Sequence, residues 1–361
     1  MRLVNTHSVK PGVVIAKPIY NEQNLPLVQK GTVLTEKMIH RLINKNITYV
    51  YIEDERTEDV GSEDFIDPQA RIQTINVVKE TFMELKEEGF VSNSYILTNR
   101  RKQLLSVLDH ILNEINSKKE AISLLSTILT TDDYTFEHSV NVAIYSLAIG
   151  TKFNLSKKEL IELGMGALFH DIGKVFIDKN ILQKTSALTE DEFNTMKTHT
   201  TLGYDYLRKQ HSMSSLIAHC AYQHHERLNG TGYPRGLIRN EIHPYGKIIA
   251  IADVYDAVTS NRIYRKAMLP HEGLEILYGG AIGEFEKSYV EAFKKSVVAY
   301  PNGLTVELSD KRTGVVIRQN KQICDRPIIR IIKEHGETVH RPYEVDLSKN
   351  LQVMIQSCHA E

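Results

Sequence analysis

The chain has 361 residues, enough for one large domain and one or two small ones, and 44 basic against 45 acidic residues leave a net charge of −1. That balance excludes a general binder of nucleic-acid polymers or membrane surfaces, which needs a large basic excess, while leaving room for a local basic pocket. The three cysteines, Cys220, Cys324 and Cys358, lie far apart with no CxxC, so neither a disulfide framework nor a structural zinc site is expected. Residues 1–60 read as a small mixed α/β module. Val13–Ile15, Leu27–Val28 and Ile47–Ile52 are short β-rich runs, separated by Pro11-Gly12, Pro18 and Gly31. Thr35 is placed to cap a helix, EKMIHRLINKN, with Met38, Leu42 and Ile43 on one face. The apolar VVIA is broken at once by Lys17 and Pro18, so no signal peptide is expected. Glu53–Asp67 is strongly acidic and nearly free of periodic apolar residues, and reads as a solvated linker opening a connector over 61–119.

From Pro68 to about residue 300 the pattern is helical. Ile72, Ile75, Val78, Phe82 and Leu85 recur at spacings of three and four, as do Leu104, Leu108, Ile111 and Ile115. Such stripes are packing surfaces or, alternatively, the seam of a homodimer. Residues 120–300 form the main helical domain, where the longest charge-free stretch, Ser139–Thr151, falls short of the ~20 residues of a membrane span. A soluble, cytoplasmic protein without membrane insertion is expected. After Tyr300-Pro301, Leu304–Leu308, Gly314–Ile317, Ile328–Ile332 and Val353–Ile355 are β-branched runs, so 301–361 reads as a small β-rich extension. The fold class is α+β: a mainly α-helical core with small β-containing modules at either end.

His138, His170, Asp171, His199, His224, His225 and Asp253 lie along the helical domain. Imidazole nitrogen and carboxylate oxygen suit divalent Fe, Mn or Zn. Singly, His138 reads as a polar helix residue and His199 as a helix-end histidine. Asp253 is different, because it sits between IIAIA and Val254, where an unpaired carboxylate is costly to bury. Together the set can fill one dinuclear centre, with Asp171, adjacent to His170, as the natural bridge. Two ions ~3.5–4 Å apart suit phosphodiester hydrolysis, because they acidify a bridging water to hydroxide and neutralise phosphoryl charge. Lys174, three residues after Asp171, can offer an ammonium to a nonbridging phosphoryl oxygen, and Gly173 permits close backbone approach beside it. Asn229–Gly236, with three glycines and a proline, cannot be a regular helix and forms an unusual loop just after two of the histidines.

The strings GALFHDIGKV and HHERLNGTGYPRGL, with EHSVNVA, MKTHTTLG and IIAIADVYDAVTSNRIYR in order, resemble the HD-GYP family, a branch of the HD phosphohydrolase superfamily. The resemblance spans residues 120–300 and implies hydrolysis of cyclic di-GMP to pGpG, with GMP as a further product. It assigns His138, His170, Asp171 and Asp253 to one Fe or Mn ion, and Asp171, His199, His224 and His225 to the other. It gives Lys174 a phosphate-facing role beside the catalytic Asp171, and makes Gly232, Tyr233 and Pro234 shape the substrate pocket. Arg262 and Arg265 match basic positions near substrate phosphate, where a planar guanidinium donates twice. The family often has lysine at the second, so Arg265 departs mildly. Some members hold a third ion through a glutamate four residues before the first histidine. Here that position is Tyr134, a poor ligand with its ordinary pKa near ~10, so two ions are expected. The alternatives are a cyclic di-GMP-binding signalling protein with little turnover, disfavoured by the intact ligand set, and an HD phosphohydrolase of another nucleotide, disfavoured by the GYP loop.

Overall fold

The computed structural model describes residues 1–21, 25–45, 47–61, 65–91, 94–118, 121–124, 128–130, 134–184, 186–260, 267–320 and 323–359. At the N-terminus, β1 (Arg2–Asn5), β2 (Ile19–Asn21), β3 (Pro26–Val28), α1 (Glu36–Asn44) and β4 (Tyr49–Ile52) follow one another. β1 pairs antiparallel with β4, setting Leu3 opposite Tyr51. β2 pairs with β3 and, in parallel, with the distant β5 (Ile128–Thr130). Thr35 Oγ1 accepts from the Met38 N–H at 3.3 Å, and α1 buries Ile39 and Leu42 between half-buried Met38 and Ile43. The run Val13–Ile15 forms only isolated bridges, Val14 to Val33 and Ile15 to Ile52, while β1 was hidden by its polar ends.

The acidic run is more than a solvated linker. Val60, Phe65 and Ile66 are buried, the last two in the helical core, and Asp59 pairs with Arg330 of the C-terminal sheet. Next, α2 (Pro68–Glu88) begins on Asp67, whose carboxylate accepts from the Gln69 and Ala70 N–H groups, with Pro68 in the first turn, where no N–H is needed. It ends at Gly89, φ +77°. Its stripe, and that of α3 (Tyr95–Lys118), enters the same core as the helices that follow. Ile75, Val78, Phe82, Leu85, Leu104, Leu108 and Ile111 of these stripes are packed inside the chain.

Those helices are α4 (Tyr134–Lys152), α5 (Lys157–Leu168), α6 (Lys179–Leu182), α7 (Glu190–Lys197), α8 (His199–Leu207), α9 (Ser215–Gln223), α10 (Pro244–Thr259), α11 (Pro270–Gly280) and α12 (Lys287–Lys294). Capping boxes start α5 (Ser156 with Glu159) and α7 (Thr189 with Glu192). α4 packs on α5 and α10, and α9 on α5 and α8, so α4, α5, α8, α9 and α10 enclose one region. No helix among the described residues is long and apolar enough to cross a membrane.

The C-terminal strands β6 (Thr305–Leu308), β7 (Arg312–Arg318), β8 (Ile328–Glu334), β9 (Glu337–Asp346) and β10 (Ile355–His359) form a five-stranded antiparallel sheet in the order β10-β6-β7-β8-β9. β9 is exposed along most of its length, so it carries no apolar alternation by which the sequence would disclose it. Leu3, Ala16 and Tyr51 share one buried cluster with Leu304, Val306, Val316 and Ile329. The two ends of the chain thus pack together, and Leu269, just before α11, joins them.

Candidate metal centre

Five elements converge on Asp171. His138 lies in the first turns of α4, His170 and Asp171 follow α5, His199 opens α8, His224 and His225 follow α9, and Asp253 sits in α10. The 170–171 turn is held from behind, where Phe169 stacks on Phe82 of α2 at 5.6 Å and Phe136 meets Phe82 edge-on. The next residues, Ile172–Phe176, form a 3-10 helix pressed against α8. A Cβ on Gly173 would lie 1.8 Å from the His199 carbonyl oxygen, so only glycine lets this turn meet α8.

The two oxygens of Asp171 face different histidines. Oδ2 lies 3.3 Å from His170 Nε2 and 3.6 Å from His138 Nε2. Oδ1 lies 3.3 Å from His199 Nε2 and 3.7 Å from His224 Nε2. Asp253 spans the far side, with Oδ1 3.1 Å from His138 Nε2 and Oδ2 3.7 Å from His225 Nδ1. Asp171, His199, His224 and His225 bring ligand atoms within 4.8 Å of one another, as do His138, His170 and Asp171. All seven residues predicted as ligands meet in one place.

The donor set fits cations. Asp171 Oδ1 and His170 Nε2 are buried and make no hydrogen bond, and both are aimed at the centre. Their desolvation is offset only by something that binds lone pairs. The outer nitrogens are already committed: Nδ1 of His170, His199 and His224 faces the carbonyl oxygens of Ala167 (2.7 Å), Met196 (2.7 Å) and Cys220 (3.2 Å). Donating Nδ1–H there leaves each Nε2 as an inward lone pair. Burial lowers the imidazole pKa of His199 to about 4 and puts His224 and His225 well below their ordinary value. Burial also opposes charge on His138, but hydrogen bonds with Asp253 and Asp256 carry its pKa up to about 9. Burial pushes the Asp171 carboxyl up, yet Lys174 and His170 hold it well below the usual range. Lys174 Nζ pairs with Asp171 Oδ2 and remains partly exposed, on the rim of the centre.

The glycine-rich loop covers one side. A Cβ on Gly232 would come within 2.5 Å of Glu226 Cα and the His225 oxygen, so the loop lies directly on the histidine pair. The Tyr233 ring rests 4.6 Å from that of His225, and Gly230 and Gly236 take positive φ. Pro234 follows Tyr233 in this loop. Arg262 and Arg265 lie outside the described residues, as does the side chain of Tyr134. Sequence reasoning missed two supporting carboxylates. Buried Glu226 accepts from the N–H groups of Arg235 and Leu237 at 2.8 and 2.9 Å and so pins the loop. Buried Asp256 accepts from His138 Nδ1 at 2.7 Å. Its signal was the DVYD spacing, which puts Asp253 and Asp256 on one face of α10.

Comparison with known proteins agrees with this geometry. Residues 110–282 match the HD domain family, and residues 305–361 match a KOW domain associated with HD domains. A cyclic di-GMP phosphodiesterase of Pseudomonas aeruginosa is 33% identical over 239 residues, covering 66% of this chain and 58% of the relative. A 3'3'-cGAMP-specific phosphodiesterase of Vibrio cholerae is 36% identical over 172 residues, covering 48% of this chain and 37% of that protein. This chain therefore spans less than two thirds of the length of either relative. Among solved structures, an HDG"Y"P protein from Bdellovibrio bacteriovorus shares the fold, with a TM-score of 0.50, 19% identity, and coverage of 81% of this chain and 97% of that one.

Proposed function

The chain carries an HD domain, and from that premise we propose that it is a metal-dependent phosphodiesterase that hydrolyses cyclic di-GMP to pGpG and onward to GMP. The observation that carries this reading is the single buried carboxylate of Asp171, whose two oxygens face two histidine groups. When bound there, divalent ions supply water activation and neutralise phosphoryl charge. His138, His170, Asp171 and Asp253 would hold one ion, and Asp171, His199, His224 and His225 the other. Mixed imidazole and carboxylate donors suit iron or manganese, the ions the resemblance implies. With Tyr134 in place of a carboxylate, two ions per chain are the proposed count.

The chain's own groups then act on the substrate. Lys174, on the rim beside Asp171, is placed to meet a nonbridging phosphoryl oxygen and stabilise charge that develops there. The Tyr233 ring, packed on His225, closes one wall against water, with Gly232 and Pro234 in the same loop. Arg262 and Arg265 would meet substrate phosphate. The three unpaired cysteines suit a reducing cytoplasm. A second reading is supported by the Vibrio cholerae relative: the same centre would open a mixed guanine–adenine cyclic dinucleotide.

Anaerobically purified protein, assayed for metal content and against cyclic di-GMP, cyclic GMP-AMP and cyclic di-AMP, tests both readings. Cyclic di-GMP should disappear fastest, and chelation should abolish turnover. Preference for cyclic GMP-AMP establishes the second reading. Tight binding of cyclic di-GMP without product, with both metal positions filled, makes the protein a receptor instead.

A further inference from the structure

Ahead of residue 110, where the match to the HD domain begins, α2 places one charged side chain deep inside the domain. Arg71 is 2% exposed, and its Nη2 donates to Glu137 Oε1 and Asn141 Oδ1 of α4, both at 2.9 Å. Burying a guanidinium is unfavourable unless its partners are fixed, and an apolar side chain would serve packing as well. A role beyond packing is therefore indicated, and the hydrogen bonds define it. With Asn141 Oδ1 taken as acceptor, its Nδ2 must face the other way, and it donates to Asp256 Oδ1 at 2.8 Å. Ser260 Oγ donates to the same oxygen at 3.0 Å. Asp256 Oδ2 is left for His138 Nδ1 at 2.7 Å, which turns His138 Nε2 toward Asp253 and Asp171.

We propose that Arg71 is a positioning residue for the centre: through Asn141 and Asp256 it fixes the ring orientation and tautomer of His138. The inference rests on the reading of the site as a metal centre and deepens it, because the helix upstream of the HD domain sets the geometry of one ion's ligand.

Two measurements test the relay. In metal-free protein, the His138 Nδ1 proton shared with Asp256 should give a downfield, slowly exchanging proton resonance, assigned by its loss in His138→Gln. In Arg71→Met and in Asn141→Leu that resonance should shift upfield and exchange faster. An unchanged resonance in both folded variants overturns the proposal, whether or not the protein binds metal. In manganese-loaded protein, chelator competition should show affinity at the His138 position weakened by ~10-fold or more in either variant, with the His199 position little changed. The double variant should be no weaker than the singles, since they cut one chain of hydrogen bonds. Equal losses at both positions, or additive losses, would mean a general packing role and sink the relay. If Arg71→Met does not fold, the near-isosteric Asn141→Leu decides alone. Failure of the wild-type chain to take up any ion refutes the proposed function, while the resonance still decides the relay.

Discussion

At the scale of single residues, Asp171 and Lys174 are adjacent yet should fail differently. Asp171 presents one oxygen to each histidine group, so Asp171→Ala should lose both ions and all turnover while helix content by circular dichroism stays native. Lys174 touches the carboxylate but sits on the rim, so Lys174→Ala should keep its metal and lower kcat by ~100-fold or more. Metal loss in Lys174→Ala, or near-normal turnover, contradicts the assignment. The histidines also divide by pH. His138 is raised to about 9 in the metal-free chain, so an ion binding there at neutral pH must displace a proton. Affinity at that position should climb by roughly tenfold per pH unit toward that value. His199 is lowered to about 4, and His224 and His225 lie well below their ordinary value, so the other position should be nearly flat above pH ~6. Chelator competition across this range measures both slopes, and equal slopes would refute the division. Without metal the same raised pKa stabilises the fold below the ordinary 6.5, a contribution lost as pH rises through about 9.

At the scale of elements, the geometry depends on helices that contribute no ligand. α2 backs the 170–171 turn through Phe82, fully buried between Phe136 and Phe169. Phe82→Ala should destabilise the chain by ~3–5 kcal/mol through the lost ring and the cavity left behind. Because that cavity opens directly behind His170, its metal affinity should fall as well. A variant with a lower denaturation midpoint and wild-type metal affinity would show that the turn holds itself in place. The helices were legible from the Thr35 cap of α1 and the apolar stripes of α2 and α3, since these are local signals. β1 and β9 were not: four residues with polar ends, and a strand with almost no buried face, leave no periodicity to read.

At the scale of the whole molecule, the two ends of the chain close on each other. The Leu3 N–H donates to the Gly303 carbonyl at 2.9 Å, Leu3 is fully buried among residues of the C-terminal sheet, and Arg330 grips Asp59. Leu3→Ala should cost ~2–5 kcal/mol of stability, read as a lower denaturation midpoint, while metal content and kcat stay unchanged because the cluster includes none of the seven proposed ligands. A matching loss of metal would mean that closure of the ends is coupled to the centre. Tyr49 Oη donates to the Ala267 carbonyl at 3.4 Å, and Leu269 joins the same cluster.

The sequence by itself determined the identity and order of the seven proposed ligands, the helical core and the irregular loop after His225. Each is written in residue types, in local spacing, or in glycines that no helix tolerates. The tertiary structure decided how those residues divide. Which oxygen of Asp171 faces which histidine, that Asp256 fixes His138, and that Arg71 reaches the site from another helix all depend on the packing of α2, α4 and α10. So does the closure of β1 and the acidic run onto a sheet that begins only at Thr305. Such arrangements are made by contacts between residues distant in sequence, and short-range periodicity carries no record of them.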